Sequence, residues 1–128
     1  MIFVDTNVLM YAVGRRHPLR EEARRFFEER LDSRDPLVTS AEVFQELLHV
    51  YLPVQRLATL DAALALADSC IRDVWPVEAD DVRFARALAQ RYPALRARDL
   101  LHLACCKRRG VTGIKTFDRA LGAAADRT

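Results

Sequence analysis

Cysteine is scarce in this chain of 128 residues, and the three present, Cys70, Cys105 and Cys106, form no C-x-x-C pair. That argues against a thiolate zinc site and against a disulfide framework. An odd, unpaired count suits a reducing compartment, and Cys105 and Cys106, in an apolar stretch, read as small core hydrophobes. Long apolar runs are also missing. Val8 to Val13 is among the longest, far short of the ~18 residues a membrane span needs. No basic segment followed by an apolar region opens the chain, so no secretory leader is expected. The expectation is a cytoplasmic protein with no membrane attachment. An excess of one charge is lacking too: the formal net charge is +2, so bulk electrostatics alone do not argue for nucleic acid. Lysine occurs only at 107 and 115. The remaining basic residues are Arg, which makes bidentate contacts to phosphate but also ordinary surface ion pairs. Repeats, low-complexity tracts and interdomain linkers are absent. The length then points to one domain, 1–128, and the 51% hydrophobic content is enough for a real core.

What is present alternates short apolar strands with helical periods. Ile2-Phe3-Val4 reads as a buried strand, and Thr6 to Val13 as a short helix stopped near Gly14. Pro18 suits a first helical position, and Leu19, Ala23, Phe26, Phe27 and Leu31 share one face of the next helix. Pro36 to Thr39 is a second strand, with Ser40 a natural N-cap for the helix that follows. That helix carries Val43, Leu47, Val50 and Tyr51 on its apolar side and ends at Pro53. Leu57, Leu60, Leu64, Ala67 and Ile71 repeat at helical spacing. Val74 to Val77 reads as an edge strand because of Pro76. Val82, Ala85 and Leu88 mark a helix ending before Pro93. Ala97 to Arg108 is a helix closed by Gly110, Gly113 to Thr116 a fourth strand, and Asp118 to Ala125 a last helix. Strands separated by helices imply parallel pairing with right-handed crossovers. The expected architecture is therefore α/β, a central parallel sheet of about four strands flanked by helices. Its crevice lies beyond the carboxyl ends of the strands.

Four acids sit where elements start or stop. Asp5 ends the first strand, Asp99 opens a helix, Asp118 follows the fourth strand, and Glu46 lies inside an amphipathic helix. Each has an ordinary role: a cap for Asp5 and Asp118, a dipole-complementing first-turn acid for Asp99, a solvated position for Glu46. Together they can face one crevice. Glu42, one turn before Glu46, shares its face. His102, three residues after Asp99, reads as packed or hydrogen-bonded rather than as a ligand. Asn7 and Thr116 are polar groups flanking Asp5 and Asp118. Oxygen donors without His or Cys pairs favour magnesium or manganese over zinc, and packed carboxylates resist joint ionisation until a cation binds.

Phe3-Val4-Asp5-Thr6-Asn7, Ser40-Ala41-Glu42-Val43-Phe44-Gln45-Glu46-Leu47-Leu48, Arg98-Asp99-Leu100-Leu101-His102-Leu103-Ala104 and Lys115-Thr116-Phe117-Asp118 together resemble the PIN-domain ribonucleases, in particular VapC-type toxins of toxin–antitoxin pairs. Any one motif is weak; four in order, over essentially the whole chain, are strong. The resemblance implies the PIN-like three-layer fold and a magnesium- or manganese-dependent endoribonuclease. It matches Asp5, Glu46, Asp99 and Asp118 to the four family acids, with Asp5, Asp99 and Asp118 at the metal. Asn7 and Thr116 match supporting polar positions. Glu46 fits better than Glu42 by its distance from Ser40. The chain departs from the family after the last acid, where Leu121 to Thr128 has little β character in place of another short strand.

Arg15 and Arg16 after the first helix, and Arg96 and Arg98 before Asp99, are candidates to guide an RNA backbone. The apolar faces of the third and fourth helices exceed what one side of a small sheet covers. With the resemblance, this leads us to expect a homodimer and a cognate antitoxin. Two rival readings stand beside this one. A phosphatase using Asp5 as a covalent nucleophile wants a second Asp two residues on, where Asn7 stands. A catalytically idle PIN-fold protein that binds RNA or a partner is the stronger alternative.

Overall fold

The computed structural model describes residues 1–126. In chain order the elements are β1 (Ile2–Val4), α1 (Thr6–Val13), α2 (Arg20–Arg30), β2 (Leu37–Ser40), α3 (Ala41–Tyr51), α4 (Leu57–Cys70), β3 (Ile71–Trp75), α5 (Ala79–Leu88), α6 (Ala97–Arg108), β4 (Gly113–Lys115) and α7 (Arg119–Asp126). The four strands pair in the order β3-β2-β1-β4, all parallel. The expected α/β architecture is therefore present.

Strand order fixes where a site can form. The chain runs β1, β2, β3 in one direction, then crosses back to lay β4 on the other side of β1. The order reverses between β1 and β4, and a crevice opens at such a switch point. Phe3 pairs with Ile114 and Val4 with Lys115. The residues that follow, Asp5 and Thr116, leave the sheet side by side.

Helices cover both faces. Phe3, Val8, Leu9, Phe27, Val43, Leu47, Leu60 and Ala63 build a core of β1 and β2 with α1 to α4. Leu88, Tyr92, Leu100, Leu103, Leu121 and Ala124 build a second core of α5, α6 and α7. Burying an aliphatic or aromatic side chain of this size is worth ~2 kcal/mol, so these layers hold the sheet ends in place.

Several local expectations shift. The third strand is Ile71–Trp75, ahead of Pro76, rather than Val74 to Val77. Ile71 leaves the helical repeat because its backbone pairs with Leu37, and a bulge then sets Asp73 opposite Val38. The strand is an edge, as expected, with Arg72, Asp73 and Val74 exposed. The second helix starts at Arg20, with Leu19 rather than Pro18 next to its first turn. Ser40 occupies the N-cap position of α3 but makes no side-chain capping bond. Its buried Oγ has no partner among the described residues. Val50, Leu57 and Val82 lie on exposed rather than buried surface.

One helix end is set by chemistry visible in the sequence. Gly110 takes φ of +71° and lets Val111 N–H reach back to the Cys106 carbonyl at 2.9 Å, closing α6. After Asp118 the chain forms α7 up to Asp126, so no further strand follows the last acid within the described residues. The end of the segment noted above, residues 127–128, lies outside them.

Candidate functional site

Asp5 is the N-cap of α1, and it is buried. Its Oδ1 accepts the Thr6 N–H at 2.8 Å, and its Oδ2 accepts the Thr116 hydroxyl at 2.7 Å. The capping role is thus real, and only half of the carboxylate is used for it. Asn7 donates to Asp5 Oδ2 at 3.4 Å and to Thr116 Oγ1 at 3.2 Å, and it accepts the Phe117 N–H at 3.1 Å. Thr116 Oγ1 also accepts the Asp118 N–H at 2.9 Å. Asp5, Asn7, Thr116 and Asp118 therefore form one lattice across the β1–β4 switch point. Residues 109 to 111 positions apart in sequence are held together by it.

The other two acids arrive from helices. Asp99 sits in the first turn of α6, where its Oδ2 accepts the Arg96 N–H at 3.2 Å. Glu46 points from α3 toward α6, with Oε1 2.6 Å from His102 Nε2. The same nitrogen is 3.6 Å from Asp5 Oδ1. Asp118 caps α7 through the Leu121 N–H at 3.0 Å. A cavity of about 650 Å³ is lined by Glu46, Asp99, Asp118, Arg96 and Arg98, with three alanines. Asp5 is not among its lining residues and is linked to Asp118 through the Thr116 hydroxyl. Glu42 is placed elsewhere, beside Val82, Leu100 and Leu101 in an apolar groove. Of the two glutamates, Glu46 joins the acids.

Burial dominates the titration of the acids, and like charge adds to it. Burial raises the Asp5 pKa above its ordinary value against the pull of His102, Thr116 and the Thr6 N–H, and the Glu46 charge adds to the rise. Burial also raises Asp99; the Arg96 N–H opposes it, while Asp118 and Glu46 push the same way as burial. Burial disfavours a charged His102, yet the Glu46 hydrogen bond and the charges of Asp5, Glu46 and Asp99 outweigh it and raise its pKa. The cluster is short of positive charge, and a cation would relieve it. The donors are oxygens, which suits magnesium or manganese. Among the described residues, no three His, Cys, Asp or Glu side chains stand ready around a single point. The acids would have to close up on an ion.

The basic residues divide. Arg96 and Arg98 line the cavity. Arg15 and Arg16 are exposed on the loop after α1 and are not among its lining. A second charged cluster lay outside the sequence reading. Asp81 is fully buried and accepts Arg108 at 2.7 Å, Arg109 at 2.8 Å and the Glu78 N–H at 2.8 Å. Arg109 also packs 5.0 Å over the Trp75 ring. This cluster binds α5 to α6 and to the end of β3. Its only sequence signal was the Glu78–Asp81 spacing of a capping box. His102 is packed and hydrogen-bonded as expected, but its two acidic partners were not foreseen.

Residues 2–127 match the PIN domain family, and the chain belongs to that family. It is 64% identical over 124 residues to a Mycobacterium tuberculosis protein named Ribonuclease VapC23, covering 97% of this chain and 98% of that one. In fold it is similar to Mycobacterium tuberculosis VapC20, described as a Sarcin-Ricin loop cleaving toxin. The TM-score is 0.74 at 22% identity, over 97% of this chain and 95% of that one. It is also similar to a chain of a toxin–antitoxin complex from Klebsiella pneumoniae, with a TM-score of 0.66 at 19% identity, over 92% and 87% of the two chains.

Proposed function

We propose that residues 1–128 form a single PIN domain that hydrolyses RNA phosphodiester bonds as a magnesium- or manganese-dependent endoribonuclease. In this reading it is the toxin of a toxin–antitoxin pair. The observation that carries the proposal is the gathering of Asp5, Glu46, Asp99 and Asp118 at the β1–β4 switch point, beside a cavity edged by two arginines. Full-length likeness to a protein named a ribonuclease supports it.

Asp5, Asp99 and Asp118 are the residues that would hold the ion. When bound, such an ion supplies activation of a water and charge stabilisation at the leaving oxygen. The chain's own residues do the rest. Thr116 and Asn7 fix the rotamer of Asp5, so one carboxylate edge stays directed by hydrogen bonds. Glu46 orients the attacking water. Arg96 and Arg98 grip backbone phosphates with planar guanidinium groups. In-line attack at phosphorus then leaves a 5′ phosphate and a 3′ hydroxyl.

Partners follow from the same surface. A cognate antitoxin would set a basic side chain near Asp5, Asp99 and Asp118 and so exclude both ion and RNA. Exposed Leu48, Val50, Leu52, Val54 and Leu57, where α3 passes to α4, support a homodimer. A monomer by light scattering at high micromolar concentration contradicts the dimer. No described helix is long and apolar enough to cross a membrane, and we place the protein in the cytoplasm. The idle PIN-fold alternative draws on the open spacing of the acids. Incubation of purified protein with single-stranded RNA and magnesium separates the two readings. We expect cleavage; RNA that is bound but never cut favours the alternative.

A further inference from the structure

We propose that His102 is a positioning residue, a buried brace that sets the spacing of Glu46 and Asp5 and so prepares them for a cation. The inference rests on the metal-dependent reading above. It starts from where His102 sits. It lies one turn after Asp99 on α6 and shares that residue's face. Its exposure is 1%, and it is not among the cavity-lining residues. It stands behind the acids and acts through them.

One atom makes the brace. Nε2 is 2.6 Å from Glu46 Oε1, on α3, and 3.6 Å from Asp5 Oδ1, at the end of β1. Helix α6, which carries Asp99, is thereby hydrogen-bonded to Glu46 on α3 and held within ion-pair distance of Asp5, two of the three other site acids. The ring is buried and packed on one side. The Phe3 ring packs 5.4 Å away at a 46° tilt, and Nδ1 has no hydrogen-bond partner among the described residues. An orphaned Nδ1 beside a paired Nε2 fits an imidazole whose N–H is directed at the acids.

The brace answers a specific problem. Glu46 and Asp5 are like charges whose repulsion disfavours their approach. A donor between them lets both stay ionised and close together. Without it, Glu46 is free to swing into the open cavity. This is the arrangement by which groups behind a metal site orient its ligands.

The test measures manganese binding to the metal-free whole protein by isothermal titration, alongside RNA cleavage kinetics. His102→Leu keeps bulk and removes the donor. His102→Gln restores an amide N–H near the Nε2 position. His102→Asn keeps an amide but places it short of Glu46. We expect His102→Leu and His102→Asn to weaken manganese binding about 10- to 100-fold. Both should lower kcat with little change in KM for RNA, and His102→Gln should recover most of both losses. Wild-type affinity in His102→Leu, or in His102→Asn where His102→Leu does not fold, overturns the inference. So does a His102→Gln variant as weak as His102→Leu. Absence of manganese binding by the wild-type chain overturns the metal-dependent reading and this inference with it; binding by wild type that His102→Leu leaves intact overturns this inference alone.

Discussion

Replacing Asp5 with Asn separates a catalytic acid from a structural cap. Two terms compete in the metal-free protein at pH 7. Asn loses the short bond from Thr116 to an ionised oxygen, 2.7 Å long, which is worth about 1.5 kcal/mol. It also removes a charge buried beside Glu46 and His102. Burial outweighs Thr116, Thr6 and His102 in setting the direction of the Asp5 pKa, which is raised. The net balance therefore favours the neutral side chain. Asn ranks with Asp as a helix cap, so the Thr6 bond survives. We expect Asp5→Asn to be equal to wild type or more stable at pH 7, because the loss of the Thr116 bond is outweighed by removal of the buried charge. The sign with pH follows. A carboxyl whose folded pKa is raised binds more protons folded than unfolded, so wild-type stability falls as pH rises from about 4 through the raised value. Asp5→Asn escapes that fall. The two proteins should converge near pH 4 and diverge toward pH 7. Urea unfolding in EDTA across that range is the assay. A mutant that loses about 2 kcal/mol or more at pH 7 would mean that the hydrogen bonds of the ionised carboxylate outweigh its burial, and would refute the reasoning.

Asp81→Ala should destabilise the fold by about 3 kcal/mol, the low end for breaking a buried ion pair. The low end applies because Arg108 and Arg109 both keep some contact with solvent; chemical denaturation measures it. The partners of Asp81 hold its pKa below the carboxylate range despite its burial. Its contribution is therefore present above about pH 4 and is lost as pH falls further. Arg96→Ala and Arg98→Ala should each weaken RNA binding across sequences and reduce its salt dependence by about one phosphate contact. Anisotropy titrations at several salt concentrations check this, and an unchanged slope removes these arginines from the RNA path.

Much of this architecture was legible because local signals agreed with tertiary ones. Asp5 follows an apolar triplet and precedes a helix, and the structure shows the cap that this placement predicts. Ala97 to Arg108 carries helical periodicity and ends at Gly110, and the helix has those bounds. The third strand was displaced because Ile71 fits a helical repeat in sequence, while its pairing with Leu37 is made only in the sheet. Val50, Leu57 and Val82 have core chemistry and surface positions, which periodicity alone does not distinguish. The partners of His102 and Asp81 were hidden for one reason. Glu46 is 56 residues from His102, and Arg109 is 28 from Asp81, and no spacing rule connects them.

The central claim is that Asp5, Glu46, Asp99 and Asp118 work as one metal-dependent unit on RNA. The most direct measurement is cleavage of a single-stranded RNA by the purified protein, with magnesium or manganese and then with EDTA. It is repeated for Asp5→Asn, Glu46→Gln, Asp99→Asn and Asp118→Asn, with Glu42→Gln as the neighbouring control. We expect cleavage that needs the cation, disappears in all four variants and persists in Glu42→Gln. Cleavage that survives EDTA, or that survives the loss of these acids, would contradict it.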